Sequence, residues 1–134
     1  MRFILLFSIL ISFRNAETIT GYDLYRSLNK KNSVKIIDRN QYISATAYIM
    51  GVINALKYSR DIYENVIVTS SIDKNEDQRM GNYIMPFNKE WDQKQYVEMI
   101  HFYLKKNPSR LNLSAVEIIS LSLFEASIMN SLKL

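Results

Sequence analysis

Apolar side chains return every three or four positions along three long stretches of this chain, and that period constrains the fold more than any other feature. Ala45, Tyr48, Ile49, Val52, Ala55 and Leu56 follow it within residues 41–59. Tyr96, Met99, Ile100, Tyr103 and Leu104 follow it within 92–107, and Ala115, Ile118, Ile119, Ser122, Leu123 and Ala126 within 114–128. A helix brings such positions onto one face, whereas a strand needs a period of two. Each of the last two stretches opens on a capping box: Asp92 with Gln95, and Ser114 with Glu117. There the first side chain accepts from the third helical N–H while the second reaches back. A shorter helix is expected over 20–29, with Thr20 as N-cap, Asp23 in its first turn, and Tyr22, Tyr25 and Leu28 sharing a face beside Leu24.

The punctuation agrees with helices. Among 134 residues there are only 3 glycines and 2 prolines. Pro108 ends the third helix, and the short link after it predicts that the third and fourth helices lie side by side, roughly antiparallel. Gly51 falls inside the second helix, where it costs about 1 kcal/mol relative to alanine. Either another helix approaches closely there or the cost is simply tolerated. Residues 30–40 are polar with one small apolar patch and read as a connection. Residues 60–87 are the least regular part: Val66 to Thr69 has β propensity, Asp73 to Arg79 is wholly polar, and Gly81-Asn82 marks a turn. The expected fold is therefore mainly α, a compact bundle of about four helices with an irregular or short β segment between the second and third.

The chain opens with Met-Arg, an eleven-residue apolar run from Phe3 to Phe13, and then Arg14-Asn15-Ala16. This is the layout of a secretory signal peptide. The run is too short to span a membrane, which takes about 20 apolar residues. The reading is a signal peptide over 1–16, with Arg14 a poor fit three positions before the cut, and one domain over 17–134. The product is expected in the periplasm or outside the cell. Removing the leader takes Arg2 and Arg14 from the 17 basic residues and leaves 15 against 13 acidic, a surplus of two. That surplus is too small to argue for nucleic acid, which asks for a clustered basic stripe.

The residue inventory excludes much chemistry. With no cysteine there is no disulfide, thiolate metal site or cysteine nucleophile, and with one histidine no site needing two imidazoles. His101 lies off the apolar stripe, and no G-x-S-x-G turn occurs to supply a nucleophile. Asp73, Glu76 and Asp77 cluster without the spacing of a calcium loop and without an apolar wall to raise a carboxyl pKa. No catalytic residue, metal site or cofactor is expected, and the chain reads as a binding protein. Tyr63 and Tyr83 flank the polar stretch, and aromatic residues beside charged loops often anchor interfaces. The candidate partner contacts are Tyr63, Asp73, Glu76, Asp77, Arg79 and Tyr83.

Three blocks, in order, resemble the Rap/Tai family of periplasmic immunity proteins: Gly21-Tyr22-Asp23-Leu24, then Ala45-Thr46-Ala47-Tyr48-Ile49-Met50-Gly51-Val52, then Met85-Pro86 through Gln95-Tyr96, Met99-Ile100, Tyr103-Leu104 and Asn107-Pro108 to Ala115, Ile118-Ile119 and Leu123. The resemblance covers most of residues 20–127. It implies a non-enzymatic helical protein that binds and occludes a cell-wall-degrading effector delivered by type VI secretion, such as a peptidoglycan amidase. The alternative is a small exported interaction or scaffold protein with no toxin partner. Homodimers are common among small helical proteins of this kind. The family carries cysteines that this chain lacks; by the resemblance, Leu28, Ala45 and Ile84 stand at their positions, and a Leu28–Ala45 contact replaces a bridge. A disulfide typically contributes about 2–4 kcal/mol, part of which apolar burial can recover. Cysteines introduced at positions 28 and 45 should therefore oxidise spontaneously in the folded protein. Two free thiols by titration would show that the register is wrong.

Overall fold

A computed structural model describes residues 18–62, 65 and 91–131. It is mainly α, a four-helix bundle: α1 (Gly21–Leu28), α2 (Ile36–Ile62), α3 (Gln93–Lys106) and α4 (Ala115–Ser131), with a 3-10 turn at Pro108–Arg110 before α4. The four expected helices are all present. The expected β segment is corrected. Among the described residues there is no strand, and Arg60 to Ile62, assigned to the irregular part, continue α2. The one antiparallel bridge lies elsewhere, between Thr20 and Ser114. Val66 to Thr69 lies outside the described residues.

Three of the helix starts follow from their caps. The Thr20 backbone N–H donates to the Asp23 carboxylate at 3.0 Å, and the Asp23 N–H donates to the Thr20 hydroxyl at 3.3 Å. Asp92 and Gln95 repeat the exchange at 2.8 and 2.9 Å, and so do Ser114 and Glu117 at 2.9 and 3.3 Å. The fourth start departs from expectation. α2 begins at Ile36, inside the stretch read as a connection. A local polar cluster holds this first turn: the Ser33 hydroxyl donates to Asp38 at 2.8 Å, and Lys30 pairs with Asp38 at 3.0 Å and bonds Gln41. These contacts replace the apolar period that the segment lacks.

The starts of α1 and α4 are joined by backbone. Gly21 and Tyr22 donate to the carbonyls of Leu113 and Leu111, each at 2.8 Å, and Ala115 donates to Ile19 at 2.7 Å. First-turn N–H groups have no partner inside their own helix, so these bonds satisfy groups that water would otherwise have to serve. Side chains from all four helices form one core, in which Leu24, Leu28, Ile49, Ile53, Tyr96, Ile100, Leu104, Ile118 and Ile119 are nearly inaccessible. In α1 the Leu24–Leu28 pair faces inward, and Tyr22, expected on the buried face, is exposed. Two leucines four apart lie more nearly over one another than tyrosines three apart, and they carry no hydroxyl to satisfy. In α2 the buried line is Ala45, Ile49 and Ile53, while Ala55 faces outward. α3 also buries Val97, and α4 buries its expected face from Ala115 to Leu123, with Ala126 half-buried. Outside the core, Arg110 bonds the Tyr103 hydroxyl and pairs with Glu125 at 2.9 Å, tying α3, the 3-10 turn and α4 together.

The two described helical glycines behave differently. A β-carbon at Gly21 would sit 3.0 Å from Ile118 Cγ1 and 3.1 Å from the Leu111 carbonyl oxygen. That carbonyl already takes the Tyr22 N–H, so it cannot retreat without losing a bond. At Gly51 an added β-carbon meets nothing within 4 Å among the described residues. No neighbouring helix among the described residues explains it. Gly21→Ala should cost about 1–3 kcal/mol through overpacking. Gly51→Ala should gain about 0.5–1 kcal/mol. Urea midpoints in dilute solution, with unchanged slopes, test both.

Candidate functional site

Tyr63, Asp73, Glu76, Asp77, Arg79 and Tyr83 all lie outside the described residues, so the structure brings none of them together. What the bundle does display is the ground on either side of that segment. α2 ends at Ile62, and the chain re-enters at Trp91, whose ring meets Tyr96 edge-on at 5.5 Å. Lys57 near the end of α2 sits over the same Tyr96 ring, 4.7 Å from its centre. Tyr96 is thus clasped by an aromatic edge and a cation while its own ring fills the core.

Beside this junction runs an open groove of about 850 Å³ between α2 and the start of α3. Tyr42, Ile43, Ala47, Met50 and Val97 supply apolar walls, and Lys31, Asp92 and Lys94 stand at the rim. Lys31 pairs with Glu98 at 3.4 Å, and the Asp92 carboxylate is engaged as the α3 cap. Thr46 also lines the groove, and its hydroxyl oxygen is buried with no hydrogen-bond partner among the described residues. A buried hydroxyl without a partner costs free energy. The groove can take apolar side chains and offers one hydroxyl for an incoming polar atom. A smaller groove, about 300 Å³, separates α1 from α2 between Ile19, Leu24, Ile37 and Tyr48.

The outward side of α2 is the other notable surface. Ile36, Ile43 and Tyr58 are 69, 61 and 68 % exposed. They lie opposite the buried Ala45–Ile49–Ile53 line. Sequence reasoning found the inward face of α2 and passed over this one. The signal was present: uncharged residues at 36, 40, 43, 47, 51, 54 and 58, spaced four, three and four.

His101 serves the fold. Its Nε2 lies 2.8 Å from Asn29 Oδ1, and its ring packs 5.9 Å from Tyr25, so it fixes the end of α1 against α3. Among the described residues no group of three His, Cys, Asp or Glu side chains could hold a metal ion, and no helix is long and apolar enough to cross a membrane. Comparison of the chain with protein-family models, with curated proteins and with solved structures found no match.

Burial, and after it Lys105 and Lys31, hold the His101 pKa below the ordinary imidazole value of 6.5. The unfolded chain then takes up a proton at a higher pH than the folded one. Stability from this residue is complete above 6.5 and declines as pH falls through that value toward the lower folded pKa. His101→Gln, which keeps a donor for Asn29, should flatten the denaturation midpoint across that weakly acidic range. Asp23 and Glu117, held below their usual 3.8 and 4.5 by the cap bonds, should add a separate loss at lower pH that the substitution leaves intact.

Proposed function

We propose that this chain is a periplasmic immunity-type protein of the Rap/Tai kind, which binds a cell-wall-degrading effector and occludes its cleft. The observation that carries the reading is the order of the three sequence blocks, taken with where they sit on the bundle. The first block forms the start of α1, and its glycine packs on Leu111 and Ile118, inside the third block. The second block lies on α2, and through Ala45 and Ile49 it enters the same core. Leu24, Ala45, Ile49, Tyr96, Ile100, Tyr103, Leu104, Ala115, Ile118, Ile119 and Leu123, drawn from all three blocks, thus share one core, while Tyr22, Ala47 and Gly51 of the same blocks are exposed. Leu28 and Ala45, assigned to cysteine positions, are both buried in that core, where an apolar pair can replace a covalent bond.

Occlusion requires a rigid support and a projecting element that fills a concave site. In this reading α2 and α3 are the support. The segment joining them, with Tyr63, Asp73, Glu76, Asp77, Arg79 and Tyr83, supplies the contacts. The partner is a hydrolase of the bacterial wall, and the chain contributes no reaction of its own.

A pull-down from periplasmic extract, read by mass spectrometry, should recover a peptidoglycan hydrolase, and the purified chain should suppress that enzyme's release of labelled wall fragments. Charge reversal at Asp73, Glu76 and Asp77 together should slow association about tenfold or more at low salt while leaving the melting temperature unchanged, because rim charges act on encounter. Turnover of peptidoglycan by the chain alone would refute the reading. An association rate indifferent to the three reversals would move the contact surface elsewhere.

A further inference from the structure

We infer that the corner between α1 and α2 docks on the surface of an anionic lipid bilayer, with Val34, Ile36 and Ile37 entering the interface and Lys31, Lys35 and Arg39 meeting the headgroups. This role is separate from the proposed immunity activity. Val34, Ile36 and Ile37 are 92, 69 and 63 % exposed, and Val34 is the most exposed large apolar side chain among the described residues. Single apolar residues at a surface are ordinary, whereas a contiguous set marks a contact. Here three branched aliphatic side chains fall within four consecutive positions.

The corner is held in place, so this exposure is built and is not a frayed end. The Ser33 N–H donates to the Lys30 carbonyl at 3.0 Å, and the Lys35 N–H donates to the Ser33 hydroxyl at 3.2 Å. Ser33 and Lys30 both engage Asp38, and Leu28, just before the turn, is buried in the core. Val34 is therefore fixed between two anchored residues with its side chain in water.

Charge decides what such a tip fits. Residues 30–39 hold four basic side chains and one acidic one. That local surplus of three exceeds the surplus of two over all of residues 17–134. Asp38, the single carboxylate, is partly buried and already engaged by Lys30 and Ser33. Lys31 is shared with Glu98 of α3, while Lys35 and Arg39 are exposed and form no salt bridge among the described residues. The centre of a protein interface favours aromatic residues and disfavours lysine, and this corner has the opposite make-up. Nucleic acid would reward the cations and leave the three aliphatic side chains in water. A bilayer interface takes both: aliphatic tips reach the acyl boundary while the lysine and arginine stems extend back to the phosphates. Each cation close to an anionic surface raises binding about fivefold, and three aliphatic side chains add less than an acyl chain would. The association is therefore weak, reversible and salt-sensitive.

The apolar run Phe3–Phe13 would itself enter lipid, so the experiment reads the corner locally. The chain has no native cysteine. Val34→Cys carrying a polarity-sensitive fluorophore should shift to the blue on vesicles of phosphatidylglycerol mixed with phosphatidylcholine at low salt. It should not shift on phosphatidylcholine alone. The same label on Asn54→Cys, about 27 Å beyond Ile36 along α2, should report water on both. Lys35→Gln with Arg39→Gln should raise the lipid concentration at half-shift at least tenfold. The melting temperature should stay unchanged, because neither side chain forms a salt bridge among the described residues. An unshifted Val34 label on the anionic vesicles overturns the inference. So does an equal shift on phosphatidylcholine alone, which would make the corner merely apolar. An equal shift with a duplex oligonucleotide in place of lipid would make it a general polyanion site, and would overturn it too.

Discussion

The backbone stitch between the starts of α1 and α4 is the constraint on which the rest of this structure depends. α1 has eight residues, too few to hold a helix in water by itself. Its start is fixed by carbonyls from Leu111 and Leu113, while the start of α4 is fixed by the carbonyl of Ile19. The capping boxes at Thr20 and Ser114 satisfy further N–H groups on each side. With both starts held, Leu24 and Leu28 are delivered to the core between α2, α3 and α4. Gly21 makes the approach feasible, since any larger residue would press on Ile118 and on the very carbonyl that Tyr22 uses.

Legibility in the sequence followed the kind of force at work. Caps are local, three residues apart, and all three pairs were readable as written. The faces of α3 and α4 were readable because their apolar positions recur without interruption. The start of α2 was not, because Ser33, Lys30 and Asp38 hold it through side-chain bonds that leave no period. Tyr22 and Ala55 were expected on inward faces and are exposed for a related reason: stripes three and four apart overlap, and only neighbouring helices decide which is inward. The role of Gly51 was open in the sequence, and its answer lies in what surrounds it. The β element was expected from propensity over Val66 to Thr69, a short-range signal; that stretch lies outside the described residues, among which there is no strand. The six proposed contact residues could be chosen by polarity and aromatic placement alone, which describes a surface but not its geometry.

The described residues divide their work cleanly. Most ionisable groups that depart from ordinary behaviour are tied to helix ends or helix joints: Asp23, Asp38 and Glu117 at first turns, His101 against the end of α1, and Arg110 between Tyr103 and Glu125, while Tyr96 is raised by its burial in the core. None converges with another on a concave apolar site. Among the described residues, one line on the outward side of α2, from Ile36 to Tyr58, is exposed and uncharged, and the groove between α2 and α3 has apolar walls with Lys31, Asp92 and Lys94 at its rim.

The stitch also imposes an order of assembly. Gly21 and Tyr22 bond to residues about 90 positions further along the chain, so the start of α1 is fixed only after Leu111–Ser114 has left the ribosome. Up to that moment the N-terminal part has no finished core of its own. The same short hydrogen bonds that close the bundle therefore act as a latch that shuts last.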